Sequence, residues 1–479
     1  MVKPAGLFIG VGLAVIMLLV GAPADVPVLA WRTAAVAVVM AIWWGTEALP
    51  PFVTALLPLI LFPAFEVMSF SEVAAPFAHR MIFLFLGGFL LALAIEKWNL
   101  HQRIALHVLL VMGGQAKMLV FGFMLATAVL SMWMTNTATT LMMLPIAVSI
   151  LHVVFAGDGK TISARNQAHF RILLPLSVAY GATIGGMATL IGTPPNAFLA
   201  GYVSDTFGID IDFAAWMMVG LPVSAILLPF GWWVLTRFVY PVDFTVQRPA
   251  KIHFQKMLHS LGAVSKPEWR VGVLFVLVAL GWAFRKPVIE LSGWNWLSDS
   301  AIAITGAVLL FIIPSGLAKH EKLANAALLK KLPFDVLLLF GGGLALASGI
   351  SASGLAAELG RLLSSLGAIN GVVLVLAATS LVIFLTELTS NLATTATFLP
   401  IVGAVGMDAG LSPLLLAVPV ALAASCAFML PIATPPNAIC YGSGHVSLQQ
   451  MAKAGFWLNI AGIVLLSVVS VFWVPVVFG

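Results

Sequence analysis

The chain has 479 residues, of which 61% are apolar and only 9% charged, with a net charge of +5; an ordinary soluble domain carries about 25% charged residues, so water is not its main solvent. The 23 Lys and Arg residues lie in short polar breaks between apolar runs and build no basic, aromatic-interleaved face, which argues against nucleic acid as a partner. Cys426 and Cys440 sit in apolar surroundings without metal-ligand spacing, so nothing supports a disulfide framework or a zinc site.

A bilayer core takes about 20 apolar residues per crossing helix, and in chain order the first window of that kind is 5–22. The Ala22-Pro23-Ala24 that follows looks like a signal-peptide cleavage site, but the only preceding basic residue is Lys3, which favours a retained helix. Windows 31–49 and 80–96 come next. Residues 117–153 then form two short apolar arms around the polar triplet Thr135-Asn136-Thr137, the pattern of a helical hairpin. Beyond a polar loop near 157–170, an apolar helix is interrupted at Ile191-Gly192-Thr193-Pro194-Pro195-Asn196-Ala197. The span 214–238 leads to a polar linker at 241–270. Windows 271–284 and 300–314 precede a second hairpin, 370–406, around Ser390-Asn391-Leu392; a second interruption at 432–438 and a last span at 454–477 complete the chain.

The two halves repeat one another. Trp133-Met134-Thr135-Asn136-Thr137-Ala138-Thr139-Thr140 returns as Leu388-Thr389-Ser390-Asn391-Leu392-Ala393-Thr394-Thr395 at a shift of 255, and the Thr-Pro-Pro-Asn segment returns as Ile432-Ala433-Thr434-Pro435-Pro436-Asn437-Ala438 at a shift of 241. Two different motifs in one order point to duplication. The expected organisation is an N-terminal helix at 1–26, a first repeat at 27–240, the linker at 241–270 and a second repeat at 271–479. With a cytoplasmic N-terminus, an outside C-terminus and hairpins that do not cross, only Arg32, Arg80, Arg285, Lys286 and Arg361 fall outside, leaving the other 18 of the 23 basic residues inside, as positive-inside loops require. In that topology the repeats are inverted, a common construction of secondary transporters.

Each motif breaks a helix inside an apolar stretch, where a free amide or carbonyl costs several kcal/mol unless something satisfies it. A hairpin tip offers a helix N-terminus whose free N–H groups attract an anion, and Asn and Thr or Ser side chains add donors. The Thr-Pro-Pro-Asn breaks supply the reverse, because proline removes a donor and frees carbonyl oxygens for a hard cation. No Lys or Arg lies in the motifs, so a cation bound beside the anion would neutralise it. Glu387, four residues before Asn391, is expected to receive hydrogen bonds below the tip in preference to holding an ion. Thr139, Thr140, Thr394 and Thr395 are expected to satisfy backbone carbonyls, and Trp43, Trp44, Trp232 and Trp233 to be interfacial anchors.

At Ser131-Met132-Trp133-Met134-Thr135-Asn136-Thr137-Ala138-Thr139-Thr140, Glu387-Leu388-Thr389-Ser390-Asn391 and Met429-Leu430-Pro431-Ile432-Ala433-Thr434-Pro435-Pro436-Asn437, the chain resembles the divalent anion/sodium symporter family of dicarboxylate and citrate transporters. The resemblance runs from about residue 27 to the C-terminus. It implies an all-α polytopic membrane protein with inverted-topology repeats, a homodimer of protomers with about 11 transmembrane helices and two re-entrant hairpins, working as an elevator. It implies that Asn136, Thr137 and Asn391 bind the substrate carboxylates at the Thr135 and Ser390 tips, with Thr434 and Pro435 lining the site. It implies one sodium near Ser131, Met134, Asn136 and Gly192, and another near Thr386, Thr389, Asn391 and Ala433. The repeat pairs Ser131 with Thr386 and Met134 with Thr389, which supports both cation sites independently. The family triplet is Ser-Asn-Thr twice; here Thr135 keeps the hydroxyl, whereas Leu392 removes a donor.

The expectation is therefore a sodium-coupled C4-dicarboxylate symporter of a bacterial inner membrane, with lipid, sodium and a small anion as its partners. A sulfate-type carrier or a sodium-independent exchanger of the same fold is the alternative. No acid pair or activated Ser or Cys suggests an enzyme.

Overall fold

The computed structural model of the chain describes residues 4–112, 114–158, 162–246, 249–364 and 370–479. The side assignments of Lys3, Lys160 and Arg248 lie outside the described residues, as do parts of the 157–170 loop, the 241–270 linker and the 1–26 segment. Among the described residues the secondary structure is helical, apart from isolated bridges such as Gln115 to Thr245. Large apolar side chains face outwards, including Leu19 at 81%, Leu291 at 90% and Phe472 at 71% exposure. Exposed apolar surface on that scale belongs in lipid.

The helices that position the site are α1 (Pro4–Val20), α2 (Val28–Thr46), α3 (Arg80–Lys97), α4 (Ala116–Ser131), α5 (Asn136–Asp158), α6 (Ala164–Gly186), α7 (Pro194–Phe207) and α8 (Phe213–Trp233). The second half supplies α9 (Lys266–Ala283), α10 (Asp299–Ile312), α11 (Phe334–Ala352), α12 (Gly371–Thr386), α13 (Asn391–Asp408), α14 (Pro413–Ser425), α15 (Pro435–Gly442) and α16 (Leu448–Phe472). Length and apolarity alone single out 6 continuous membrane-crossing helices among the described residues, or 7 when α9 is joined to Arg285–Ser292 across a 72° bend. This is fewer than the eleven expected because several spans are interrupted. The pairs α6/α7 and α14/α15, and Pro51–Thr54 with Leu57–Ala64, are each two pieces.

Helices α4 and α5 form the first hairpin, and α12 and α13 the second. Buried α6 and α14 lie at the centre. Close approach of α6 to α4 depends on missing side chains: a Cβ at Gly181 would sit 2.6 Å from the Met124 carbonyl oxygen, and one at Gly185 would collide with that of Ala128. Small residues bring membrane helices together in this way. Trp43 and Trp44 are buried at 8% and 1% exposure, their indoles donating to Leu7 O at 3.3 Å and Pro51 O at 3.0 Å. They pack the first helices together and are not interfacial anchors; Trp233 is exposed, as an anchor is.

Ion pairs join separate segments: Arg32–Glu66, Arg80–Asp210 and Lys286–Asp212 form one set, and Arg103–Glu268, Lys117–Asp243 and Lys331–Glu96 another. Asp212 caps α8 by accepting from Ala215 N at 2.7 Å. Burial pushes its carboxyl up, but Lys286, the Ala215 amide and Arg285 outweigh burial and hold it below the usual range.

Candidate functional site

Both hairpins turn on a residue suited to cap a helix. Thr135 Oγ1 accepts from Ala138 N at 3.2 Å, and Ser390 stands in extended conformation ahead of α13. The following asparagines are held alike. Ser131 Oγ donates to Asn136 Oδ1 at 2.6 Å, and Thr386 Oγ1 donates to Asn391 Oδ1 at 3.0 Å. One turn on, Thr140 donates to Asn136 O and Thr395 to Asn391 O, both at 2.7 Å. Thr394 donates to Ser390 O at 3.0 Å as expected, but the buried Thr139 hydroxyl has no hydrogen-bond partner among the described residues.

The two breaks also match. After α6 the backbone leaves the helix until Thr193, and after α14 until Thr434; prolines at the first positions of α7 and α15 restart it. An asparagine amide staples each break: Asn196 Nδ2 donates to Gly186 O, Met187 O and Thr189 O at 3.2, 3.2 and 2.7 Å. Asn437 Nδ2 donates to Ala427 O at 3.1 Å and Leu430 O at 3.0 Å. Asn196 Oδ1 and Asn437 Oδ1 are buried without a hydrogen-bond partner among the described residues. The same atom is thus left over in both repeats, in an environment where an unpaired carbonyl costs about 1–3 kcal/mol.

What ties break to hairpin differs between the halves. In the first, Thr189 Oγ1 donates to Met132 O and accepts from Gly192 N at 3.1 Å. In the second, Glu387 occupies the position equivalent to Met132. Its Oε1 accepts from Phe428 N, Met429 N and Asn459 Nδ2 at 2.8, 2.9 and 2.8 Å, and Oε2 accepts from Leu430 N at 2.9 Å. This is the structural role read from the sequence: four donors converge on a carboxylate 3% exposed.

Hydroxyl and carbonyl oxygens converge where cations are expected. An atom at the Cβ position of Gly186 would lie 2.5 Å from Asn136 Oδ1 and 3.1 Å from Gly192 O. Thr386 Oγ1 also lies 2.7 Å from Ala424 O, a second acceptor for its one hydroxyl proton, at the end of α14. These neutral oxygens suit a hard cation, and among the described residues no cluster of three His, Cys, Asp or Glu side chains competes as a metal centre. Of the expected sodium residues, Ser131 and Thr386 are fully buried behind the asparagines, while Met134, Gly192 and Ala433 line the cavity described next. Thr389 does not line it; its hydroxyl donates to Leu385 O at 3.1 Å and meets that of Thr394.

A cavity of about 880 Å³ unites both tips and both breaks. Thr135, Asn136 and Thr137 face it from one hairpin, Ser390, Asn391 and Leu392 from the other, and Thr434 and Pro435 from the second break. Leu392, 4% exposed, stands where the first tip presents Thr137. Sequence reasoning missed the charged rim: Glu47, Glu96, Lys331 and Asp335 line the same cavity. No motif marks them, because they come from the ends of α2 and α3, the turn before α11 and its first helical turn, far apart in the chain.

The sequence matches known proteins along nearly its whole length. Residues 2–479 match the family described as the sodium:sulfate symporter transmembrane region. The sodium-dependent dicarboxylate transporter SdcS of Staphylococcus saprophyticus is 41% identical over 481 residues, covering 99% of this chain and 92% of the relative. SdcS of Staphylococcus aureus strain USA300 is 40% identical over 478 residues, with the same coverage. Among solved structures, Neisseria gonorrhoeae MtrF, from a class of antimetabolite efflux pumps, aligns with a TM-score of 0.59 at 13% identity, over 89% of this chain and 96% of its own. The Alcanivorax borkumensis YdaH transporter aligns at 0.56 and 15% identity, over 84% and 88%. At those identities the likeness concerns the fold.

Proposed function

The chain belongs to the sodium:sulfate symporter family, and from that premise we propose that it couples sodium entry to the import of C4-dicarboxylates such as succinate, malate and fumarate. It is an integral membrane transporter and not an enzyme. One observation carries the proposal: Asn136 and Asn391, from matching motifs 255 residues apart, line a single cavity together with the carbonyl-freeing breaks. The tips supply donors for two carboxylates, and the oxygens behind them supply cation ligands. An anion site without a basic residue at the tips is costly until a cation arrives. Coupling follows from that cost.

In this reading the halves are inverted repeats, the N-terminus is cytoplasmic and the C-terminus outside, and the cavity mouth at Glu96, Lys331 and Asp335 opens to the cytoplasm. The ion pairs that join same-side residues support the relative sides. The hairpins with α6, α7, α14 and α15 carry the site as an elevator past a scaffold that includes α3, α10 and α11, and the scaffold pairs two protomers in a homodimer. Leu392 favours testing a second substrate class, because one donor fewer at a tip suits a smaller anion such as sulfate.

Uptake of labelled succinate and labelled sulfate into proteoliposomes, with sodium or choline outside, decides among these. Succinate uptake that requires sodium is the expected result. Sulfate uptake without succinate uptake, or exchange indifferent to sodium, contradicts it.

A further inference from the structure

The cavity exceeds the needs of one small diacid. At about 30 Å³ per liquid water, its 880 Å³ leaves a wet vestibule beyond any substrate held at the tips. The tips carry no formal charge, but the vestibule wall carries Glu47, Glu96, Asp335 and Lys331, and Lys331 is the one Lys or Arg among the described residues lining the cavity. Lys331 Nζ lies 3.2 Å from Glu96 Oε1, with the two side chains 61% and 33% exposed. Its location is fixed by neighbours. Lys97 Nζ and Trp98 Nε1 both donate to Leu323 O, at 3.3 and 2.9 Å, tying the segment that leads to Lys331 onto the end of α3 that bears Glu96.

We propose that Lys331 is a second, transient anion site at the cytoplasmic mouth, where a departing dicarboxylate displaces Glu96 from the ammonium before entering bulk water. The proposal rests on the functional reading above and on its orientation. An exposed ion pair contributes little to stability, so Glu96 yields Lys331 readily to a dianion. Glu96 then competes to recover it, and the surplus of acids at the rim opposes retention of the anion while drawing sodium outwards. Lys331 and Glu96 belong to the scaffold in the elevator reading, so the anion meets them only when the tips face the cytoplasm. The site therefore acts on one side of the membrane.

The test compares half-saturation by labelled succinate at each face, using intact cells for the outer face and inside-out vesicles for the cytoplasmic face. Lys331→Gln is expected to raise the cytoplasmic value about three- to tenfold and leave the outer value unchanged, while Glu96→Gln lowers the cytoplasmic value. An unchanged cytoplasmic value in Lys331→Gln, an equal change at both faces, or a change at the outer face alone overturns the proposal. Wild-type protein that fails to carry succinate contradicts the functional reading itself, and sulfate transport in the same vesicles identifies that case.

Discussion

Glu387 shows how a carboxyl group can be accommodated inside a membrane protein by converging hydrogen bonds. Three backbone amides and one side-chain amide point at its carboxylate, and hydrogen bonds to a charged acceptor are stronger than neutral ones. It ties down residues 428–430, on the path to Ala433 of the second proposed cation site. Glu387→Gln places an amide donor among donors, at a cost of about 1–3 kcal/mol. The variant should melt earlier in detergent and need several-fold more sodium for half-maximal uptake, while Glu387→Asp recovers part of the sodium affinity. Unchanged sodium dependence in a destabilised Glu387→Gln would restrict the residue to folding. The acid was visible in the sequence, but its partners were not, because Asn459 and the 428–430 backbone reach it only through tertiary packing.

At the scale of elements, each break is a helix end that must be satisfied inside apolar surroundings. Asn196 and Asn437 do this with one amide apiece. Removing either frees break carbonyls and alters their aim at the proposed cation. Asn196→Ala is expected to weaken sodium activation more than Asn437→Ala, because the second break keeps its three backbone amides on Glu387 whereas the first keeps only the Thr189 bonds to Met132 and Gly192. Equal effects, measured as uptake against sodium concentration, would count against this difference. The hairpins and breaks were legible in the sequence because Pro, Gly, Asn and Thr are conspicuous inside apolar runs, and their repetition fixed the pairing. The span count was less legible: an interrupted helix offers pieces that are short, as α7, α14 and α15 are, or diluted by polar residues, as the 23-residue α6 is at its Ala164–His169 start. Trp43 and Trp44 misled for a related reason, since an indole at a helix end reads the same whether it meets headgroups or, as here, a neighbouring helix.

Over the whole molecule, the two halves bring matching tips to one cavity from opposite ends of the chain, and the Lys331–Glu96 rim closes the list of charged groups that line it. The tips were foreseeable from the sequence alone. The rim was not, since nothing local distinguishes Glu96 or Lys331 from other loop charges. A pocket in which each half contributes one asparagine has a thermodynamic consequence: anion and sodium should bind with reciprocal coupling, and loss of either asparagine should remove both. Equilibrium binding of labelled succinate to purified protein, with and without sodium, tests this most directly. The expected result is sodium-dependent binding in the wild type, abolished in Asn136→Ala and in Asn391→Ala with both variants still folded; wild-type binding indifferent to sodium, or full binding by either variant, would contradict it.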